Sequence, residues 1–310
     1  MTTSGVYALD LTLNEILIDA FDRLQIGADG ETLDGDMFER GRLAANLLIK
    51  SWEQQGIHLW TYTEGTLFIQ KGQAKYDFAT AQLSNTFFET TTTAASLIAT
   101  GQITVTSTDD MVIGDNLGII LEDNSIQWTL IASLPGANVV TFGDALTQAV
   151  NSGAVIYNYR DTFVPVKRIL NVRRRETDNY EIPIIFESRE DYFDLPNKEN
   201  EGTPIQAYFS RQRDAGIMYL WNTPSSAVPV INFTYERSLQ IFVTAADTFD
   251  FPEEWHEAII ANVAVKLIPK YGSSQALSDL LRVEAADALA MALSFDSAVY
   301  PVEMDMQEYG

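Results

Sequence analysis

The sequence predicts an α+β fold in which a helical bundle, built from the N- and C-terminal helices, accompanies an antiparallel sheet and an inserted small all-β domain. Three observations predict this class. Apolar residues recur at three- and four-residue spacing near both ends of the chain, which is typical of helices packed on one face. Strand-like alternation fills 164–186 and 205–242. The third observation is a change of composition at Asn85.

The composition change marks the predicted insertion. From Asn85 to Tyr159 the chain is rich in Thr, Val, Ile and Gly, and turn residues return at intervals of roughly ten positions, as in a small antiparallel β domain with six or seven strands. The clearest predicted strands are Ile103–Ser107, Leu117–Leu121, Ile126–Ile131 and Val139–Phe142. We therefore predict a discontinuous α+β host domain at 1–84 and 160–295, the inserted β domain at 85–159, and an extended C-terminal tail at 296–310.

The opening helices have clear end signals. Thr12 and Glu15 form a capping box before a run of apolar residues that ends at Leu24. A second amphipathic helix is predicted from about Asp36 to Gln55, because apolar residues again recur at helical spacing. The two helices are expected to form an antiparallel hairpin.

The closing stretch, Asp250 to Phe295, predicts two apolar helices. The first begins near Phe251, ends or kinks at Pro269, and has Gly272 as its terminator. In the second, one row of apolar residues consists of Leu277, Leu281, Ala285, Leu289 and Leu293. A second set, Ala286, Ala290 and Ala292, is small enough for another backbone to come close. We expect this pair to stabilise the fold, since each buried Leu contributes about 1.5–3 kcal/mol.

Composition excludes several classes of function. The 310 residues include 43 acidic and 20 basic side chains, a net charge of −23, which argues against nonspecific nucleic-acid binding because phosphates are bound by a surplus of Lys and Arg. Without cysteine, the chain has no disulfide, no thiolate catalysis and no zinc site built on sulfur. No apolar run is long enough to span a bilayer and no signal peptide is evident, so we expect a soluble protein made inside the cell.

Residue types for catalysis are scarce. The two histidines, His58 and His256, are far apart in sequence, and no partners for a triad or a metal site can be identified. Paired carboxylates, as in glycoside hydrolysis, are the remaining catalytic option, although any set of 43 acids contains pairs. We predict no catalytic, cofactor-binding or metal-binding residues, and no enzymatic activity.

One basic cluster stands out against this acidic background. Arg173, Arg174 and Arg175 follow Lys167 and Arg168 in a segment that alternates like a strand. One interpretation is an exposed strand end whose charges balance nearby acidic residues. The other is an inter-subunit contact with the acidic surface of an identical neighbour, because a chain with this net charge must neutralise repulsion to assemble.

Several segments carry a resemblance to a known family. They include EIPI at Glu181–Ile184, YLWNTP at Tyr219–Pro224 and DFPEEWHEAIIANVA at Asp250–Ala264, together with the opening helices and the segment IGDNLGIILEDNSIQWTLIASL at Ile113–Leu134. In their order, these segments resemble the head-to-tail adaptor proteins of short-tailed bacteriophages, also called tail tubular protein A or tail accessory factor. The resemblance extends from about Leu11 to Phe295, and its motifs are structural.

This resemblance implies a structural virion protein. It implies a ring, usually of twelve copies, that docks below the portal protein, extends the DNA channel and joins it to the tail nozzle and tail fibres. DNA would pass through without specific binding, and neither a cofactor nor a membrane is implied. The location would be the head-tail interface of the virion, after assembly in the cytoplasm of the host bacterium.

By the same resemblance, the tail is expected to dock on the portal. The docking residues that we predict are Asp296, Val299, Tyr300, Pro301, Val302, Met304, Met306 and Tyr309. When free, this acidic tail is expected to be poorly ordered, and an inert disordered end is the alternative interpretation. Two other functions stay open, a cell-wall-hydrolysing (muralytic) tail component and a receptor- or carbohydrate-binding tail protein. The latter would need an exposed aromatic platform, for which Trp128 is the one tryptophan in the inserted domain.

Overall fold

The computed structural model describes residues 9–26, 33–55, 59–160, 163, 165–213 and 215–295. Over these residues the chain forms five α-helices and seventeen β-strands. Contacts divide it into two compact units, one made of Met1–Thr61 with Leu239–Gly310 and the other of Tyr62–Ser238. Within the described ranges, no helix has both the length and the apolar character that crossing a bilayer requires.

The predicted fold class is wrong. The chain is not a helical bundle with a small β insertion, because strands outnumber helices and all seventeen described strands lie in the unit Tyr62–Ser238. Several strands are only two or three residues long, such as Leu83–Ser84 and Thr223–Pro224. A strand of that length shows no readable alternation, so the pattern that predicts longer strands gives no signal there. The protein is mostly β, with one helical unit assembled from both ends of the chain.

The helices are α1 (Leu13–Arg23), α2 (Gly35–Gln55), α3 (Arg189–Asp194), α4 (His256–Tyr271) and α5 (Gln275–Phe295), with 3₁₀ turns at Leu59–Thr61 and Glu253–Trp255. The predicted capping box of Thr12 and Glu15 is confirmed at the start of α1. Helix α4 begins later than predicted and continues through Pro269 to Tyr271. Gly272 then ends it, as predicted, in a conformation with φ of 75° that favours glycine.

Helix α4 forms the centre of the helical unit. Its buried residues cover most of its circumference and pack against α1, α2 and α5. They include Ala258, Ile259, Ile260, Ala261, Val263, Ala264 and Leu267. Elsewhere in this core, Gly41 lets α2 approach α1 closely, because a Cβ atom there would lie 2.7 Å from Cδ2 of Leu17.

The strands of the second unit are β1 (Tyr62–Phe68), β2 (Lys75–Asp77), β3 (Leu83–Ser84), β4 (Phe88–Thr91), β5 (Gln102–Thr104), β6 (Asn116–Ile120), β7 (Ile126–Gly136), β8 (Val139–Phe142), β9 (Val155–Tyr159), β10 (Val166–Arg175), β11 (Glu181–Pro183), β12 (Ile185–Phe186), β13 (Glu201–Gly202), β14 (Gln206–Ser210), β15 (Ile217–Trp221), β16 (Thr223–Pro224) and β17 (Val230–Arg237). They form four sheets, in the orders β11-β10-β17-β1-β3, β12-β14-β15-β2, β13-β16 and β4-β9-β6-β7-β8-β5. Neighbouring strands are antiparallel except in the pairs β12–β14 and β13–β16. The predicted run of short strands between Asn85 and Tyr159 is present as the six-stranded sheet.

The six-stranded sheet buries side chains on both of its faces. One face encloses an apolar core that includes Leu117, Ile119 and Ile156. The other face packs on β1, where the Phe68 ring stacks on Tyr159 with ring centroids 5.3 Å apart. The strands of this sheet therefore share a core with the rest of the unit Tyr62–Ser238.

Candidate functional site

The buried carboxylates of the β unit are held in ion pairs. Burial opposes ionisation of Asp115, but hydrogen bonds from Arg160, Val112 and Asn158 together hold the pKa of this carboxyl below its ordinary value. The Asp115 Oδ1 to Arg160 Nε distance is 2.8 Å. Such a carboxylate stays ionised at neutral pH, and its oxygens are already occupied as acceptors.

The pKa of a second carboxyl group is shifted in the opposite direction. Burial raises the pKa of Glu89, which pairs with Arg175. Glu89 lies opposite Tyr157 in β9, whereas the next residue of that strand, Asn158, contacts Asp115. Because successive strand residues point to opposite faces, Glu89 and Asp115 lie on opposite sides of the six-stranded sheet. They do not form the facing pair that glycoside hydrolysis uses.

Only one of the two histidines lies among the described residues. His58 lies outside the described residues. His256 begins α4, and burial lowers the pKa of its imidazole. Among the described His, Asp and Glu side chains, no group of three or more is arranged to hold a metal ion.

Arg173 lies on the exposed face of the sheet that contains β10. Its guanidinium contacts two carboxylates, Glu64 on β1 at 2.5 Å and Glu181 on β11 at 2.9 Å. It also donates to the side chains of Asn171 and Thr234. The residue is therefore the centre of a polar network that crosses several neighbouring strands.

Arg174 and Arg175 make their contacts outside the network of Arg173. Arg174 is buried and donates to Glu176 at 2.6 Å and to the carbonyl oxygen of Pro204. Arg175 pairs with Glu89, and its guanidinium carbon lies 4.7 Å from the centroid of the Phe87 ring. The three arginines thus have acidic partners in their own chain, and Arg174 between the other two is buried. Their inter-subunit role stays a prediction.

Helix α5 presents apolar side chains to solvent. Leu280, Val283 and Met291 are 62%, 60% and 67% exposed, and Phe295 at the end of the helix is 75% exposed. Their spacing of three, eight and four residues places them on one side of the helix, which also carries the exposed Asp287 between Val283 and Met291. We call these four residues the outer face of α5. The opposite side, which includes Leu281, Ala285 and Ala292, is buried.

The small residues predicted on α5 do not share one environment in the structure. Of the small residues predicted to admit another backbone, Ala292 is buried within the unit, whereas Ala286 and Ala290 are exposed. The predicted portal-docking residues Asp296, Val299, Tyr300, Pro301, Val302, Met304, Met306 and Tyr309 lie outside the described residues.

Trp128 is a packing residue. Its indole makes an edge-on contact with Phe68 and another with Tyr159, at centroid distances of 5.1 and 5.6 Å. Gly118 on the neighbouring strand makes room for it, since a Cβ atom there would lie 2.6 Å from the indole. Trp128 is therefore committed to the core that β1 shares with the six-stranded sheet.

An aromatic cluster that the sequence reasoning missed lies on α3, β14 and β15. The rings of Tyr208 and Tyr219 stack with centroids 5.8 Å apart, and Tyr192 stacks on Tyr208 at the same distance. Phe193, half exposed, contacts both Tyr208 and Tyr219 edge-on. The register of the β14–β15 hairpin brings these rings together, because it pairs Tyr208 with Tyr219. That register cannot be inferred from the sequence until the position of the turn is known.

Comparison with known proteins adds no relative. No protein-family model matches the chain, and no curated protein is significantly similar to it.

Proposed function

We propose that this chain is a structural protein of a phage virion, a head-to-tail adaptor that assembles into a ring below the portal. The ring extends the DNA channel and joins it to the tail nozzle and fibres. The ordered series of motifs from the opening helices to Asp250–Ala264 supports this proposal through its resemblance to the adaptor family. No catalytic role is assigned.

The observation that carries the proposal is the outer face of α5. Scattered apolar residues on a surface are ordinary, but an aligned set on one helix is typical of a contact with another protein. The face lies on the last described helix, and the predicted portal-docking tail follows it directly in sequence. One helix and its extension would then serve neighbouring subunits and the portal.

The charge distribution supports passage of DNA without binding. The net charge is −23, and many basic side chains, among them Arg23, Arg173 and Arg174, already pair with acids of the same chain. A channel wall with few free cations would not retain phosphates, so the duplex would slide past it. A lumen lined by Lys and Arg in the assembled ring would contradict this part of the proposal.

The first test is assembly of a variant with a charged outer face. The double substitution Leu280→Glu and Val283→Glu should leave folding intact, because both residues are exposed, and should prevent ring formation. Light scattering would give the mass of each protein alone and after mixing with portal rings. Leu97→Glu is the control, since Leu97 is also exposed, at 76%, but lies in the β unit.

Wild-type protein and the control should reach a ring-sized mass, alone or on the portal, while the double variant stays monomeric. Assembly of the double variant at wild-type mass would refute the role of α5, and a wild-type monomer in the presence of portal would refute the ring. Deleting Pro301–Gly310 should abolish portal binding. Undiminished binding would mean that the tail is inert.

A further inference from the structure

A cavity of about 250 Å³ opens beside the first turn of α4. Its wall is built from two segments of the helical unit, 9–11 and 248–256. The volume is below the roughly 300 Å³ at which pockets for small-molecule ligands begin. It suits one long side chain better than a cofactor.

The charged groups of the wall are acids. Asp10 and Glu253 line the cavity with exposed carboxylates, and Glu253 also accepts a hydrogen bond from the backbone N–H of Leu9 at 3.1 Å. The rings of Phe249 and Phe251 form the apolar part, with centroids 6.4 Å apart. Aromatic rings beside carboxylates are the surroundings that protein sites provide for organic cations.

His256 supplies an independent observation. The residue lines the same cavity and is only 7% exposed, yet its Nδ1 atom has no hydrogen-bond partner among the described residues. Burial lowers the pKa of this imidazole, although Glu253, Asp10 and Glu254 oppose the shift, and the lowered pKa favours the neutral ring. A neutral imidazole carries one nitrogen that can only accept. An unpartnered polar atom at such depth is costly. In the tautomer that carries its proton on Nε2, Nδ1 is the acceptor, and a donor from the ligand would pair with it.

We propose that this cavity binds the guanidinium group of an arginine side chain presented by another protein chain. Arginine fits because its planar fork can bond a carboxylate while its face stacks on an aromatic ring. The site does not depend on the proposed ring, since the whole wall belongs to one helical unit of one chain. It would equally serve an adaptor that meets its neighbour or one that meets the portal.

The test uses the full chain and the probe N-acetyl-arginine methylamide, with N-acetyl-citrulline methylamide as its uncharged counterpart. Because the sequence has two histidines, the His58→Gln variant leaves His256 as the only imidazole in an NMR spectrum of histidine-labelled protein. The arginine probe should shift the His256 signals saturably, with a dissociation constant in roughly the millimolar range expected for a few exposed charge contacts. The citrulline probe should not.

Two variants locate the site. Glu253→Gln and Asp10→Asn should each weaken binding by about threefold to fivefold, because each removes one charge contact and keeps an acceptor oxygen. Asp287→Asn on α5 removes the same charge elsewhere in the unit and should change nothing. Equal binding of both probes, equal binding by Glu253→Gln and Asp287→Asn, or no saturable shift would overturn the proposal. A lysine probe that binds as tightly as the arginine probe would overturn the choice of arginine.

Discussion

Helices α4 and α5 follow one another in the chain and are both rich in alanine and branched apolar residues, yet they bury these residues to different extents. In α4 the buried set covers most of the helix circumference. In α5 only Ser278, Leu281, Ala285 and Ala292 are buried, and the outer face is open to solvent.

The difference shows that apolar content alone does not tell core from contact surface. A helix that is apolar on most sides must be covered on most sides, and α4 is covered by α1, α2 and α5. Helix α5 has cover within the unit on one side only. The four side chains of its outer face are exposed in the folded unit, which is why we assign them to assembly.

The largest expected effect separates the two helices directly. Leu267→Ala in α4 should reduce the free energy of unfolding by about 2–5 kcal/mol, because it leaves a cavity in the core. Leu280→Ala in α5 should change it by less than about 0.5 kcal/mol, because the side chain is already exposed. Urea denaturation of each variant measures both.

Leu281→Ala is the matched control for that experiment. Leu281 is adjacent to Leu280 on the same helix but is buried. Leu281→Ala should therefore reduce the free energy of unfolding about as much as Leu267→Ala does. If Leu280→Ala destabilised as much as Leu281→Ala, the outer face would have to be covered within the monomer, and the contrast between the helices would disappear.

A smaller effect is expected where α1 and α2 approach. Gly41→Ala introduces a Cβ atom against Leu17, whose side chain is fully buried and has little room to move. Overpacking costs about 1–3 kcal/mol, partly offset by the better helix propensity of alanine, so we expect a net loss of about 1 kcal/mol in thermal or urea unfolding. Gly35→Ala, at the exposed start of the same helix with nothing within 4 Å, should be neutral or slightly stabilising. A stabilised Gly41→Ala protein would show that the two helices are not in close contact.

Local signals predicted the helical unit well. The capping box of Thr12 and the terminator Gly272 depend on neighbours within one turn, and both were correct. The fold class failed because two- and three-residue strands take their conformation from partners far away in sequence, as in the pairing of Glu201 with Thr223. Such pairing leaves no periodic pattern in the strand itself.

The candidate surfaces were only partly readable for a related reason. The predicted row from Leu277 to Leu293 contained Leu281 and Ala285 of the buried side of α5 but not Ser278 or Ala292, and its last member, Leu293, is 40% exposed. Nothing in the sequence distinguished this row from the outer face. The arginine cluster looked like one patch because its members are consecutive. In a strand, consecutive residues point to opposite faces. Arg173 therefore lies in the surface network with Glu64, whereas Arg174 points inward and donates to the carbonyl oxygen of Pro204.

The smallest expected effect concerns the charges that link α4 and α5 to α1. Arg23 on α1 bonds Glu257 on α4 and Glu284 on α5, each at 2.8 Å, and also pairs with Asp19. The hydrogen bond from Arg23 lowers the pKa of Glu257 below its ordinary value of 4.5, so the stabilisation is present above that pH and is lost as the pH falls through the lowered value. Arg23→Gln should therefore reduce the free energy of unfolding by about 0.5–1 kcal/mol at neutral pH, and the difference from wild type should shrink towards zero in acid and in high salt.

Lys266→Gln, which removes an exposed cation on α4, controls for the loss of one charge. Urea unfolding of the three proteins at neutral and acid pH gives the comparison, and a difference for Arg23→Gln that did not change with pH would mean that the arginine stabilises the helices by packing of its stem instead.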